Sequence, residues 1–243
     1  MKSNVSIKNL ILYQHHADLI NLPAGKLLIN TINAHSYNMA QKDTLYAEAL
    51  MNGDVLLPDG EGIVKAVKWV KREKIERIAG WDLFMFEMEM LNKKGGTCFF
   101  LGSSENVLGL IKKRVAVDFG NIQVITYSPP YKSEFTDEEN AAMIDAINAV
   151  QPDLLWIGMT APKQEKWIYK HWAELKINCH VGAIGAVFDF YAGNVKRAPL
   201  WWQKNSLEWL FRLIKEPRRM WKRYLIGNFI FIYYIVKEKY FKI

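Results

Sequence analysis

The amino-acid sequence predicts an α/β protein, with a parallel β-sheet covered by helices on both faces and a basic helical appendage at the C-terminal end. Six short apolar runs alternate with stretches of helical spacing, which is typical of strand–helix–strand units. The chain has 243 residues, of which 50% are hydrophobic and 23% are charged. This length and composition allow a buried core and exclude both a disordered chain and a protein with many membrane spans.

The six apolar runs are predicted to be buried strands. They occupy residues 26–31, 54–58, 97–102, 122–127, 153–158 and 179–183. Helical spacing follows most of them, as over residues 62–72. The clearest helix begins at Thr136, which forms a capping box with Glu139, and it ends before Pro152. Because ligands of such sheets bind beyond the C-terminal ends of the strands, functional residues are expected directly after each run.

Small and polar residues follow five of the predicted strands. Such residues let a ligand approach backbone N–H groups. Ordinary turn chemistry would explain any one of these positions, but their recurrence favours a ligand crevice. Pro162 is also expected to open a helix, with Lys163 and Gln164 in its first turn. The candidate crevice residues are Thr31, Asn33, Asp59, Gly60, Gly62, Gly102, Gly158, Pro162, Lys163, Gln164, Glu165, Gly182 and Gly185.

Asp59 is the candidate catalytic acid or base. It follows an apolar strand and precedes two glycines and a helical stretch, so its carboxylate is expected at the crevice, within reach of a substrate hydroxyl. A simple turn or helix-capping role is the alternative. Asp82 and Asp189 are rival acids; Asp189 stands in an apolar context where an unpaired carboxylate would be costly.

Several kinds of site have no motif in the sequence. The five histidines and two cysteines form no cluster with metal-ligand spacing, and no two aspartates stand two positions apart, so we expect neither a metal nor another cofactor. Neither G-x-G-x-x-G nor the P-loop motif is present, which weakens dinucleotide and P-loop interpretations. Only Cys98 and Cys179 are available, and the N-terminal residues lack a signal-peptide pattern, so we expect a cytoplasmic protein.

The net charge of +7 is concentrated in the C-terminal segment. Residues 218–243 carry one acid, Glu238, and a net charge of +6, whereas the first 217 residues sum to +1. So local an excess argues against a nucleic-acid-binding surface. The seven basic residues are Arg218, Arg219, Lys222, Arg223, Lys237, Lys239 and Lys242.

An apolar run of 12 residues, 225–236, lies inside this basic segment. It is shorter than the roughly 20 residues of a membrane-spanning helix. Basic residues beside apolar ones favour a helix that lies on an anionic membrane surface. A buried terminal helix or an oligomer contact is the alternative. Because the predicted sheet lies upstream, a chain that ends at Glu216 is expected to keep a folded core.

A set of motifs in fixed order resembles the WecB/TagA/CpsF family of bacterial glycosyltransferases. The set is specific only as a whole, and it extends from about residue 30 to about residue 224. The motifs are PDGEG (58–62), RIAGWDLF (77–84), FFLG (99–102), GMTAPKQEKW (158–167), VGAIGAVFDFYAG (181–193), RAP (197–199) and LEWLFRLIKEPRRMWKRYL (207–225).

The resemblance implies an inverting, metal-independent transferase with a Rossmann-like fold. Such enzymes move an N-acetylmannosamine-type sugar from a UDP donor to N-acetylglucosamine on a lipid pyrophosphate, for teichoic acid, common antigen or capsule. Asp59 would be the base, Thr31 and Asn33 would match the family's polar pair, and His35 departs from the family pattern. The motifs also bring Arg77, Asp82 and Arg197 into the substrate site. The tail arginines implied to complete the site are Arg212, Arg218, Arg219 and Arg223.

We therefore predict a catalytic core over residues 1–204 and a membrane-associating helical appendage over residues 205–243. The expected partners are the UDP-sugar, the lipid-linked acceptor and the inner face of the membrane, with a homo-oligomer possible. The alternative is a soluble nucleotide-binding oxidoreductase or regulatory module whose tail forms a dimer contact. The missing G-x-G-x-x-G argues against the oxidoreductase.

Overall fold

The computed structural model describes residues 5–241, so Lys242 of the basic segment lies outside the described residues. Each of the six predicted strands is present. Two shorter strands precede them and form an antiparallel hairpin, in which Val5 pairs with Leu12. The strands are β1 (Val5–Ile7), β2 (Leu10–Leu12), β3 (Leu27–Ile32), β4 (Val55–Pro58), β5 (Gly96–Gly102), β6 (Ile122–Tyr127), β7 (Leu154–Gly158) and β8 (His180–Ala183).

The six long strands form one sheet in the order β4-β3-β8-β7-β5-β6. Every neighbouring pair is parallel, which confirms the predicted sheet. All six carboxyl ends therefore lie along one edge, which is where open α/β sheets bind ligands.

Helices fill the connections between the strands. Short 3₁₀ and π segments at His16–Asn21 and Lys222–Ile226 complete the helical elements of the described chain. The α-helices are α1 (Ala34–Ala40), α2 (Thr44–Met51), α3 (Glu61–Lys71), α4 (Gly80–Lys94), α5 (Glu105–Asp118), α6 (Asp137–Val150), α7 (Lys163–His171), α8 (Gly185–Ala192), α9 (Leu200–Lys204), α10 (Glu208–Lys215), α11 (Pro217–Trp221) and α12 (Gly227–Phe241).

Both faces of the sheet are covered, as the near-continuous apolar strands predict. On one face, α4, α5 and α8 pack on a buried cluster that includes Phe84, Phe100 and Trp156. On the other face, α6 and α7 pack on a cluster that includes Ile147 and Leu155. The predicted capping box at Thr136 is present, and α6 begins directly after it.

The C-terminal helix belongs to a third buried cluster. Phe231 and Ile235 of α12 pack there with the β1–β2 hairpin and with residues of α1, α2 and α3. The Tyr37 hydroxyl donates to Glu238 at 3.0 Å, and the Asn38 amide donates to the Gly227 carbonyl at 2.7 Å. Thus α12 is held to the sheet domain by buried apolar surface and by hydrogen bonds, which changes the expected effect of removing it.

Pro217 divides the C-terminal segment. It ends α10 and stands at the first position of α11, where its missing N–H costs nothing. The π segment then joins α11 to α12 without a break. No helix within residues 5–241 is long and apolar enough to cross a membrane. The division at residue 205 and the attachment of this segment to a membrane stay predictions.

Candidate active site

Asp59 lies at the carboxyl edge of the sheet, between the ends of two strands. It follows β4 directly, and its backbone N–H donates to the carbonyl of Ile32, the last residue of β3, at 2.8 Å. The N-terminal cap of α3 is Gly60, with no side-chain capping bond, so the alternative of a capping aspartate does not apply. The pKa of Asp59 is raised to about 7, first by burial and then by the charge of Glu208, while the charge of Arg77 opposes the rise.

An ion-pair cluster stands beside this carboxyl. Arg77 Nη1 lies 3.1 Å from Glu208 Oε2, and Arg197 Nε lies 3.9 Å from Glu208 Oε1. The Arg197 guanidinium also lies 5.3 Å from the ring centre of Trp81. Arg77 lies in the loop between α3 and α4, Arg197 lies in the loop between α8 and α9, and Glu208 of α10 joins them. The resemblance brought both arginines to the site but did not single out Glu208.

Two arginines of the tail have buried N–H groups without an acceptor. The Nε atoms of Arg212 and Arg223 are buried, and no hydrogen-bond partner for either occurs in the described part of the chain. Both guanidinium charges act on Asp59, and each also acts on the other. Burial lowers the pKa of Arg223, and the Arg212 charge lowers it further. Two like charges with unused donors make an incomplete site that an anion would complete.

The other two predicted arginines do not act on Asp59 directly, although the charge of Arg219 acts on Arg223. Arg218 and Arg219 are exposed on α11. Arg219 pairs with Glu216 at 2.9 Å, one turn before it. Of the four predicted arginines, the structure therefore brings Arg212 and Arg223 to Asp59 and leaves Arg218 and Arg219 at the surface.

The polar residues after β3 are used partly for local structure. Asn33 caps α1, because its Oδ1 accepts from the backbone N–H groups of His35 and Ser36 at 3.0 and 3.2 Å. Thr31 is half-buried within β3. Burial lowers the pKa of His35 to about 4, with Arg223 as a second cause, so this imidazole is neutral near pH 7.

Gln164 joins the ends of two neighbouring strands. Pro162 precedes α7 as predicted, and Gln164 lies in the first turn. Its Oε1 accepts from the backbone N–H of Met159 at 3.1 Å and from that of Gly185 at 3.2 Å. Its Nε2 donates to Glu165 Oε1 at 2.9 Å. The side chain is buried and fully engaged, so it holds the turns after β7 and β8 together.

Glu165 is a second buried carboxyl. Its residue is 3% exposed, and its Oε2 has no hydrogen-bond partner within residues 5–241. Burial raises its pKa to about 7. The charge of Glu165 also acts on the buried hydroxyl of Tyr46, which has Ser36 as a neighbour. Neither group has a geometric contact that assigns it a role.

Four of the predicted glycines are required by packing. One is Gly185, where a Cβ would lie 2.2 Å from the carbonyl oxygen of Met159. A Cβ at Gly102, where φ is +116°, would lie 2.4 Å from the carbonyl oxygen of Gly158. A Cβ at Gly158 would lie 2.5 Å from the Phe188 ring, and one at Gly182 would lie 2.1 Å from the Trp156 ring. These contacts explain the glycines without a ligand, and their binding roles stay predictions.

Gly60 is the N-terminal cap of α3, and Gly62 lies in the first turn of that helix. A Cβ at Gly60 would lie 3.3 Å from the Asn33 Cβ, and one at Gly62 would lie 3.5 Å from the Phe231 ring. The contact at Gly60 is tight, whereas the contact at Gly62 is an ordinary van der Waals distance, so the packing alone does not require a glycine at residue 62.

The remaining predicted residues have local partners. Lys163 donates to the Lys132 carbonyl at 2.5 Å and lies 3.5 Å from the ring centre of Phe135. Asp82 caps α4 by accepting from the Ala79 N–H at 3.0 Å, which is a structural role for this rival acid. Burial raises the pKa of Asp189, and the charge of Arg219 opposes that rise.

The sequence is matched by the model of the glycosyl transferase WecG/TagA/CpsF family over residues 3–243. The chain belongs to this family. Curated relatives named N-acetylglucosaminyldiphosphoundecaprenol N-acetyl-beta-D-mannosaminyltransferase include one from Bacillus subtilis strain 168, 32% identical over 82% of this chain and 75% of its own. One from Bacillus spizizenii is 35% identical over 76% of this chain and 70% of its own. One from Staphylococcus aureus strain MW2 is 29% identical over 90% and 83% respectively.

Family membership confirms the predicted glycosyltransferase class. It removes the grounds for the oxidoreductase or regulatory alternative, since the match extends through the basic segment as well as the sheet. Glu208 was missed because an acidic residue in a helical stretch is ordinarily a solvated one. The available signal was its position one turn before Arg212, on the same face of α10.

Proposed function

We propose that this chain transfers an N-acetylmannosamine-type sugar from a UDP-sugar to N-acetylglucosamine on a polyprenyl pyrophosphate, with inversion at the sugar. The names of the relatives supply the transferred sugar and the acceptor. The observation that carries the chemistry is the Asp59 carboxyl, with a pKa of about 7, near two arginines whose buried Nε groups have no acceptor within residues 5–241. The product would serve teichoic acid, capsule or common antigen assembly.

Asp59 is the general base of this mechanism. It accepts the proton of the attacking acceptor hydroxyl while that oxygen bonds to the anomeric carbon. The bond from the anomeric carbon to the UDP oxygen breaks, and its electron pair leaves with the diphosphate. A base with a pKa near the working pH is well matched to this transfer, because about half of it is ionised and it is still basic enough to accept the proton.

Arg212 and Arg223 bind the departing diphosphate. Their buried Nε groups are charge-assisted donors held without an acceptor, and the charge that develops on the leaving group supplies one. Arginine suits this role because its planar fork matches phosphate geometry. Arg77 and Arg197 are already paired with Glu208, so the two tail arginines are the better candidates.

The mechanism requires no metal ion. Within residues 5–241, no three His, Cys, Asp or Glu side chains are grouped so as to hold one. Arginine cations would do what a divalent metal does in other nucleotide-sugar transferases, neutralising the diphosphate. We therefore propose that the enzyme uses its own cations, and that no cofactor takes part.

The C-terminal segment attaches the enzyme to the inner face of the cytoplasmic membrane. Five large apolar side chains recur at helical spacing and are exposed on the segment: Trp221, Leu225, Phe229, Ile232 and Tyr233. We call them the apolar stripe. The exposed Arg218, Arg219 and Lys222 stand at its N-terminal end. Apolar and basic residues together suit a helix that lies in the headgroup region of an anionic membrane.

This surface lies on the same helical segment as Arg223, whose charge acts on Asp59. A lipid-linked acceptor has its pyrophosphate at the membrane surface, so attachment through the apolar stripe brings the acceptor to the crevice. A homo-oligomer stays a prediction.

The test is transfer from a panel of UDP-sugars to a short-chain lipid-pyrophosphate N-acetylglucosamine, with and without EDTA. We expect a single product with UDP-N-acetylmannosamine, and the same rate in EDTA. Transfer with none of the sugars would contradict the substrate assignment. Loss of activity in EDTA that is restored by Mg²⁺ or Mn²⁺ would contradict the metal-independent mechanism alone.

A further inference from the structure

We propose that Glu208 is a positioning residue of the transfer reaction, which holds α10 against Asp59 by pairing with Arg77 and Arg197 and keeps a second negative charge beside that carboxyl. The inference rests on the proposed role of Asp59 as the base. It adds a residue to which neither the family resemblance nor the relatives assign a role.

The first argument is mechanical. The Glu208 carboxylate contacts two arginines with two different oxygens, at 3.1 Å to Arg77 and 3.9 Å to Arg197. All three side chains are only about one-fifth exposed, so these pairs are less screened than surface ion pairs. Glu208 is the first residue of α10, so the pairs fasten the beginning of this helix to the sheet domain.

The fastening determines where Arg212 lies. Arg212 follows Glu208 by four residues, so the two side chains project from the same face of α10. The Arg212 guanidinium lies 5.4 Å from the ring centre of Phe190 and acts on Asp59. The helix that carries one proposed diphosphate ligand is therefore oriented by the ion pairs of Glu208.

The second argument is electrostatic. The charged groups that act on Asp59 are Glu208 and Arg212 from α10, Arg77 from the loop before α4, Asp82 from α4 and Arg223 from the π segment. Three of these five are cations, which favour the ionised carboxylate and weaken it as a base. Glu208 is the largest of the opposing charges. Glu208 also partly neutralises the charge of Arg77. Removal of Glu208 would therefore lower the pKa of Asp59 in two ways, by loss of a negative charge and by exposure of the Arg77 charge.

The sign of the pH effect follows from these charges. Asp59 accepts a proton only when ionised, so the rate rises with pH through its pKa and is level above it. Without the Glu208 charge, the pKa of Asp59 falls. The acidic limb of the pH–rate profile then moves to lower pH, while the level above the limb decreases because the base is weaker.

The experiment compares the wild type, Glu208→Gln and Glu208→Asp between pH 5 and pH 9, with the donor and acceptor used to test the proposed function. We expect the limb of Glu208→Gln to lie about one pH unit lower, the size of shift that one nearby charge produces. Glu208→Asp keeps the charge and should keep the limb. The matched control is Glu216→Gln, which removes a carboxylate of the same segment that pairs with Arg219 and not with the site, and its limb should not move.

A second measurement does not depend on turnover. Titration of the Asp59 carboxyl by ¹³C NMR in the folded proteins should show the same displacement in Glu208→Gln. An unmoved limb and an unmoved titration in folded Glu208→Gln would overturn the inference, as would equal shifts in Glu216→Gln. Full turnover by Asp59→Asn would overturn the proposed base and this inference together. A slow Asp59→Asn with an unmoved Glu208→Gln limb would overturn the inference alone.

Discussion

The polar residues at the edge of the sheet are of two kinds: some have hydrogen-bonded side chains, and others have buried donors without an acceptor among the described residues. Asn33, Asp82 and Gln164 are occupied by backbone N–H groups. Arg212 and Arg223 have buried donors without acceptors among the described residues. An unsatisfied buried charge is costly, and proteins retain such groups where a ligand completes them. The two arginines are therefore stronger candidates for substrate contact than the capping residues.

Arg212→Ala is expected to weaken UDP binding and to lower kcat/KM by about 10- to 100-fold, the value of one charge-assisted hydrogen bond. Arg212→Lys should recover only part of this loss, because an ammonium group cannot reproduce the planar fork. We expect the same losses for Arg223→Ala and the same partial recovery for Arg223→Lys. Calorimetric titration with UDP measures the binding directly, with Arg218→Ala as the comparison from the exposed part of the segment. An equal or greater loss at Arg218 would contradict this division of roles.

Gln164→Ala is expected to lower the free energy of unfolding by about 1–3 kcal/mol, since the N–H groups of Met159 and Gly185 lose their acceptor. The sequence predicts a different result, weaker donor binding with little loss of stability. The exposed Gln123 of β6 provides the control, and Gln123→Ala should leave the unfolding midpoint almost unchanged. A Gln164→Ala protein of normal stability that binds the donor poorly would support the donor-binding role expected from the sequence.

Among the elements, the strands were the most predictable, and the terminal helix was the least. Buried parallel strands are apolar throughout, so each of the six is visible as a run. The β1–β2 hairpin was missed although its buried residues alternate, as Val5 and Ile7 do, because three-residue strands give too short a pattern. The sequence of α12 is apolar on every side, so no period showed which face packs inward.

The two faces of α12 can be separated by a matched pair of variants. Phe231 is 6% exposed and lies edge-on to Tyr37, with ring centres 5.4 Å apart, whereas Phe229 is 75% exposed. Phe231→Ala should cost about 3 kcal/mol of unfolding free energy, the usual value for a buried phenylalanine. Phe229→Ala should cost almost nothing. Truncation after Glu216 removes the same contacts and should destabilise the core. Chemical denaturation measures these values, and equal midpoints would contradict the packing of α12.

For the molecule as a whole, charge and apolar surface coincide at one end, where we propose that the membrane lies. The variant Phe229→Ser/Ile232→Ser changes two exposed side chains of the apolar stripe and should fold normally. Its binding to vesicles containing anionic lipid should fall by about tenfold or more, because burial of each apolar side chain contributes about 1.5–3 kcal/mol. Wild-type binding should weaken as salt rises, since screening shortens the reach of the basic residues. Sedimentation with vesicles tests this. Binding that is reduced neither by the double substitution nor by salt would contradict the docking surface.

The candidate site was predictable only in part at this scale. The residues after β4 and β7 were identified because strand ends in parallel sheets meet at one edge. Glu208 and the separation of Arg212 from Arg218 were not, because they depend on how α10 and α11 fold back on that edge. No local pattern encodes a contact between residues 77 and 208, which are 131 positions apart.

The central claim is that Asp59 accepts the proton of the acceptor hydroxyl, and single-turnover transfer by Asp59→Asn tests it most directly. Asparagine keeps the size and polarity of the side chain but cannot take the proton. We predict a loss of about 10²–10⁴-fold in the rate of the chemical step. Binding of UDP and the unfolding midpoint should stay near the wild-type values, and the rise in rate near pH 7 should disappear. A folded Asp59→Asn protein that transfers the sugar at a near-normal rate would contradict the account.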